Sequence, residues 1–297
     1  MRVLVTGASG HVGGAIVAHL LHCGWQVVGL SRRQMSQALD EMLRFDISAA
    51  GVSADIARRV SPCQAIVHAA AALDKELWAP AIAQTNCLGT QEMLKLAALW
   101  GTKQFTYISS VPIIGAPRQL PITEDHPTAP PTAYHASKLF GEHLVRLAAA
   151  GGLVGTSLRI TAPIGPGMPA NRILPIFIRQ ALAGKPIQLA GRGTRRQDYV
   201  DVRDVALAVE RSLTAGAHGL FNVASGRTVS NEELARTCVA LLQSKSRLEF
   251  SGQADPEEGV IWEVSIQRAR AAFAYEPRCT LADSILALAA EYASSPH

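Results

Sequence analysis

No apolar run in this 297-residue chain is long enough to cross a bilayer, and the first, RVLV at 2–5, stops at Thr6-Gly7, too soon for a secretory signal. The expectation is a cytoplasmic protein with no membrane partner. Basic runs are also missing: the formal net charge of +4 is spread along the chain, which gives nucleic-acid binding no footing. Cysteine is sparse and unpaired. The five residues Cys23, Cys63, Cys87, Cys238 and Cys279 are odd in number, scattered and without a CxxC. They read as buried thiols of a reducing compartment, neither a disulfide framework nor a metal site. Internal repeats and low-complexity segments are absent as well. What is present is 48% apolar and 18% charged residues, the balance of a packed globular enzyme.

Short β-rich runs alternate with helical patterns through the first half. RVLV (2–5), WQVVGL (25–30), AIVHAA (65–70), FTYISS (105–110) and GTSLRI (155–160) read as strands, and 11–22, 88–100 and 137–150 as helices. Such alternation predicts an α/β fold, a Rossmann-type doubly wound parallel sheet with right-handed crossovers. After GPGMPANRILP the pattern loosens. A nucleotide-binding core over 1–162 and a smaller C-terminal substrate-binding lobe over 163–297, partly interleaved with the core, is the expected organisation.

The first strand runs directly into TGASGHVGG, with Gly7, Gly10 and Gly13 every three residues. Glycines at a strand-to-helix turn let backbone amides approach a pyrophosphate at a helix N-terminus. The spacing is GxxGxxG, and its bland alternative is a turn with close helix packing. The second strand ends without a carboxylate. Ser31-Arg32-Arg33 follows, and an acid there would have repelled a 2′-phosphate whereas guanidinium forks bind one. NADP is therefore the expected cofactor, with NAD the alternative; a solvated basic loop would look the same.

AYHASK (133–138) sets Tyr134 and Lys138 one helical turn apart. The spacing fits an acid with an activating cation, and equally a packed tyrosine beside a solvated lysine.

These segments together resemble the NAD(P)-dependent epimerase/dehydratase group of the extended short-chain dehydrogenase/reductase superfamily, over nearly the whole chain. TGASGHVGG is similar to its TGxxGxxG loop, which implies that Gly7, Ser9, Gly10, His11, Val12 and Gly13 lie against the cofactor. Asp46-Ile47 resembles the pair that contacts adenine. HAAA (68–71) resembles the segment lining the cofactor after the fourth strand, implicating His68, Ala69 and Ala70, and TNCLGT supplies the helix asparagine, Asn86. YISSVPIIG is similar to the SSxxVYG strand end and places the catalytic serine at Ser110. The segments LRITAPIGPG, DYVDVRDVA and FNVASGRTVS match later motifs in order. The resemblance implies a homodimer built on helices flanking the sheet.

It also gives the tyrosine its chemistry. A free phenol titrates near about pH 10, so a base at neutral pH needs a neighbouring cation. Lys138 would supply it and hold the nicotinamide ribose, Tyr134 would move the proton, and Ser110 would orient the reacting oxygen. Departures matter too. Val111-Pro112 stands where family dehydratases carry Asp-Glu, Ala162 and Ile164 where the motif has Asn and Tyr, and Gln197 where it has a phosphate-binding Arg. Arg172, Arg195 and Arg196 are candidates to replace that grip, and the last two could equally be solvated turn charges. Three readings follow: an NADP-linked reductase or dehydrogenase of a carbonyl or alcohol, a nucleotide-sugar epimerase that retains its cofactor, and a non-catalytic dinucleotide sensor.

Overall fold

The computed structural model describes residues 1–33, 39, 41–74, 76, 77 and 79–294. The first half builds β1 (Arg2–Thr6), α1 (His11–His22), β2 (Gln26–Ser31), β3 (Glu41–Arg44), α2 (Val52–Arg59), β4 (Ala65–His68), α3 (Gly89–Trp100), β5 (Gln104–Ser110), α4 (Ala133–Ala149) and β6 (Val154–Ile160). The second half adds β7 (Ala162–Ile164), α5 (Ile173–Leu182), β8 (Ile187–Leu189), β9 (Arg196–Asp201), α6 (Val202–Thr214), β10 (Gly219–Val223), β11 (Thr228–Ser230), α7 (Asn231–Leu241), β12 (Leu248–Phe250), α8 (Gln267–Phe273) and α9 (Leu281–Ser294).

Seven strands form one parallel sheet in the order β10-β6-β5-β4-β1-β2-β3. Burial on both faces explains the near-continuous apolar strands: Val3, Leu4 and Val5 are all fully buried. Side chains alternate between two cores. Val3 and Val5 pack with α1 and α6, while Leu4, Ile66, Phe105 and Tyr107 pack with α2, α3 and α4. This is the doubly wound α/β fold expected from the sequence. Strand order reverses between β1 and β4, and a crevice opens there at the strands' carboxyl ends, where such sheets bind ligands.

The smaller part is a three-stranded sheet, β11-β9-β7, and the pair β12-β8, packed with α5, α7 and α9 around Leu174, Ile178, Leu234 and Leu288. The chain leaves the large sheet after β6 and comes back to it: α6 packs on α1, and β10 pairs with β6 as the sheet's edge. The interleaving thus runs through 202–223. Helix starts are chemically marked: Thr132 accepts from the His135 amide ahead of α4, and Ser230 with Glu233 makes a capping box ahead of α7.

Local details differ from the periodicity. The third strand ends at Arg44, so Asp46 and Ile47 lie on the following turn. A π-helical turn, Ile82–Leu88, precedes α3 and carries Asn86. Cys63 and Cys238 are buried as expected, but Cys87 and Cys279 are only half-buried and Cys23, at the end of α1, is exposed. Among the described residues no helix is long and apolar enough to cross a membrane, and no cluster of three or more His, Cys, Asp or Glu could hold a metal ion.

Candidate active site

The crevice at the switch point is walled by the glycine loop, the end of β2, residues 45–47 and Ala69 to Ala71, enclosing about 240 Å³. Gly7 is left-handed (φ 68°), and a Cβ there would stand 2.8 Å from Ala70 Cα. A Cβ on Gly13 would overlap the Gly7 carbonyl. Both positions exclude side chains because helix, loop and β4 meet there. Gly10 precedes α1 without any side-chain cap, leaving that helix terminus to a ligand. The loop therefore fits a dinucleotide pyrophosphate.

The remaining cofactor candidates divide into wall and support. Ser9, Ser31, Arg32, Arg33, Asp46, Ile47, Ala69 and Ala70 line the crevice. The Ser9 and Ser31 hydroxyls bond each other, and the Arg33 amide donates to Ser31 Oγ at 3.0 Å. Arg32 lies 3.9 Å from Asp46, both exposed. Asp46 is held below the ordinary carboxylate range by bonds from the Ser48 amide and hydroxyl, with burial opposing and Arg32 helping. Val12 packs into the core, and His11 Nε2 sits 3.3 Å from the Gly165 carbonyl, tying α1 to the loop before α5. Burial lowers the His11 pKa.

His68 is support. It is fully buried, with Thr6 Oγ1 at 2.7 Å from Nδ1 and Thr90 Oγ1 at 3.0 Å from Nε2. Thr90 donates to the Asn86 carbonyl and Thr6 accepts from the Ala70 amide, so the network assigns the ring proton to Nε2. Burial pushes the ring pKa down to about 3, with the Lys138 charge adding to it. Asn86 clasps Ala72 through both amide atoms and donates to Ser137 Oγ at 2.9 Å. These bonds fix the β4 end against α4. Thr6, Thr90 and Ser137 stand within TGASGHVGG, TNCLGT and AYHASK, but the sequence alone gives them no separate role.

The catalytic candidates converge at the carboxyl end of β5. Ser110 is the last residue of that strand and is partly exposed. Tyr134 lies in the first turn of α4, partly exposed, and Lys138 is one turn on, 3% exposed. Lys138 Nζ donates to the Ile108 carbonyl at 2.8 Å and lies 4.9 Å and 5.8 Å from the Tyr107 and Tyr134 ring centroids. Lys138 is thus not a solvated surface charge. Burial lowers it to about 8, Glu142 opposing; burial raises Tyr134 to about 12, Arg172 opposing.

The three arginines part company. Arg195 pairs with Glu257 at 2.5 Å and Arg196 with Glu233 at 3.0 Å. Arg172, just before α5, is exposed and makes no ion pair within 4 Å among the described residues; its charge is felt at both Tyr134 and His11. A larger hollow of about 720 Å³ opens in the C-terminal lobe beside Tyr199, Asp201 and Cys279. Neither hollow is lined by Ser110, Tyr134 or Lys138; the glycine loop and the uncapped start of α1 mark the smaller one as the dinucleotide crevice.

Comparison with known proteins shows the family. Residues 3–224 match the model of the NAD dependent epimerase/dehydratase family. A UDP-glucose 4-epimerase of Mycolicibacterium smegmatis is 30% identical over 306 residues, covering 96% of each chain. A dTDP-glucose 4,6-dehydratase of Streptomyces niveus is 26% identical, covering 96% of this chain and 91% of its own. Among solved structures, the UDP-glucose 4-epimerase of Thermotoga maritima with UDP-glucose superposes with a TM-score of 0.89 at 21% identity, covering 99% of both chains. That of Thermus thermophilus with NAD gives 0.87 at 23% identity, covering 100% of both. The chain belongs to the NAD dependent epimerase/dehydratase family, and it is an enzyme of that kind.

Proposed function

We propose that this member of the epimerase/dehydratase family epimerises a nucleotide sugar at a secondary alcohol carbon, by reversible hydride transfer to a dinucleotide retained through the cycle. The observation that carries the reading is the buried Lys138 ammonium, held by the Ile108 carbonyl near the end of β5 and beside the Tyr134 ring. The full-length likeness to a UDP-glucose 4-epimerase supports the substrate class. Dehydration is disfavoured because Val111, in the place of a dehydratase acid, is buried in the core and followed by proline.

Tyr134 takes the sugar hydroxyl proton as the carbon is oxidised and returns it to the same oxygen when the carbonyl, turned to present its other face, is reduced, and Ser110 hydrogen-bonds the reacting oxygen. Lys138 provides the positive charge that a phenol pushed up to about 12 by burial needs. A bound nicotinamide would supply the hydride acceptor and donor for the step, and its oxidised form would add positive charge to the site. Gly7, Gly10, Gly13 and Ser9 hold its pyrophosphate, and Asp46 and Ile47 its adenosine. Arg172 is assigned to the sugar nucleotide's phosphates, since Arg195 and Arg196 already have carboxylate partners. Exposed Phe140 and Leu147, two turns apart on α4, with Leu99 on α3, would form the homodimer face.

The cofactor is NAD in this reading. A second reading, NADP with a reductase role, draws on Arg33, which lines the adenosine crevice without an ion pair among the described residues. Dissociation constants for the two dinucleotides separate them: tighter NAD binding, with near one equivalent retained on purification, supports the epimerase. Tighter NADP binding with a free crevice supports the reductase.

A further inference from the structure

Beneath the catalytic residues lies a buried row of charge that the proposed reaction does not use. In the sheet, Ser109 of β5 is the register partner of Arg159 of β6, which is itself the partner of Asn222 of β10. All three point their polar groups into one layer just below the strands' carboxyl ends. Glu142 of α4 closes the layer from above. Its Oε1 accepts from Ser109 Oγ at 2.6 Å and from Arg159 Nε at 2.9 Å, and its Oε2 from Arg159 Nη2 at 2.8 Å. Arg159 Nη1 also donates to the Glu124 carbonyl at 3.1 Å, and the Asn222 backbone N–H donates to Glu124 Oε1 at 2.8 Å. Arg268, partly exposed, sits 3.7 Å from Glu124 at the outer end.

We infer that Glu142 is a positioning residue of the catalytic group: its carboxylate fixes the Ser110 end of β5 against the helix carrying Tyr134 and Lys138, and it is the counter-charge to the Lys138 ammonium. Two facts of placement carry this. Ser109 immediately precedes Ser110, so its bond to Glu142 pins the strand end that presents the serine. Glu142 is one turn beyond Lys138, on the same buried helix face, and both side chains are sealed from water. A bidentate Arg159 makes the carboxylate's position nearly rigid. Lys138 faces Tyr107 from β5, His68 from β4, and Tyr134 on its own helix; Arg159 approaches from β6 only through Glu142, and Cys87 borders Tyr107 from the π-helical turn. None of these is a carboxylate. Glu142, more than 4 Å from Lys138 and paired with Arg159, is the carboxylate whose charge reaches the buried ammonium, raising Lys138 against the burial that lowers it.

The inference rests on the assignment of Tyr134 and Lys138 to the chemistry, but the titration of Lys138 needs no substrate and so fails separately from it. The full chain is labelled at lysine Cε, and the Lys138 resonance is assigned by its loss in Lys138→Met and titrated without dinucleotide. The native midpoint is expected at about 8. In Glu142→Gln, which keeps the shape, the midpoint falls by about one pH unit or more and kcat falls with it. Glu142→Asp restores most of both. Ser109→Ala removes only the tie: it lowers kcat and leaves the midpoint in place. Should Glu142→Gln fail to fold because Arg159 is left buried and unpaired, Glu142→Gln with Arg159→Gln takes its place, with a smaller fall because a positive charge is lost too. A Lys138 midpoint unchanged in the folded Gln variant, or a Ser109→Ala enzyme with native kcat, overturns the assignment.

Discussion

Lys138 holds its ammonium 5.8 Å from the centre of the Tyr134 ring, on the next turn of the same helix, with the Ile108 carbonyl 2.8 Å away as acceptor. One cation thus reaches both the strand end and the phenol. Tyr134→Phe keeps the ring and removes the transferable proton, so turnover falls by about 10²-fold or more with folding and dinucleotide affinity intact. Lys138→Met damages turnover and dinucleotide affinity together. Steady-state rates beside a cofactor titration check this; retained turnover in the Phe variant moves the chemistry elsewhere.

The glycine loop predicts a contrast between neighbours. A Cβ at Gly13 meets the Gly7 carbonyl, whereas one at Gly14 stands 3.5 Å from the Ala8 carbonyl, an ordinary contact. Gly13→Ala is expected to abolish dinucleotide binding and cost about 1–3 kcal/mol of stability. Gly14→Ala, inside α1, is neutral or stabilising by up to about 1 kcal/mol. Thermal melts with and without dinucleotide distinguish them, and equal effects of the two would remove the steric account.

Much of this was readable before any coordinates, and the reasons are physical. Turn glycines, apolar strands buried on both faces and a Tyr/Lys pair one turn apart are local patterns. The partners of Arg195 and Arg196 are not: Glu257 and Glu233 lie 62 and 37 residues along the chain, and only folding brings them in. The return of β10 to the large sheet was equally hidden, because FNV reads the same in either sheet. Glu142 had a signal, four residues beyond Lys138, whose meaning depended on seeing Arg159 beneath it.

Those ion pairs set the next expectation. Arg172→Ala raises KM for a nucleotide sugar by about 10- to 100-fold, the worth of a charged hydrogen bond to phosphate. Arg195→Ala, losing a cation already committed to Glu257, changes KM by less than about fivefold. The reverse ranking would hand the phosphates to the strap before β9.

His68 predicts an acid limit. Its folded pKa of about 3 lies below the unfolded value, so the unfolded chain binds the extra proton as pH falls from about 6.5 to about 3. The stability it contributes is full above that window and lost within it, by about 1.4 kcal/mol per pH unit at most. Asp198, raised by burial to about 6, acts with the opposite sign over its own range and partly masks this. Urea unfolding at pH 6 and pH 4.5 should therefore show a pH slope smaller by about one proton in His68→Gln than in the native chain. Identical slopes would mean that His68 takes up no proton on unfolding.

The central claim is a hydride that leaves one carbon and comes back to it. A nucleotide sugar carrying deuterium at the carbon to be oxidised, incubated with the purified protein and no added dinucleotide, tests it most directly. The account predicts conversion to the epimer with deuterium kept at that carbon, no net change in nicotinamide absorbance, and loss of conversion in Tyr134→Phe. No conversion until NADP is supplied, and then oxidised product accumulating in step with it and deuterium carried away on the released cofactor, would contradict it.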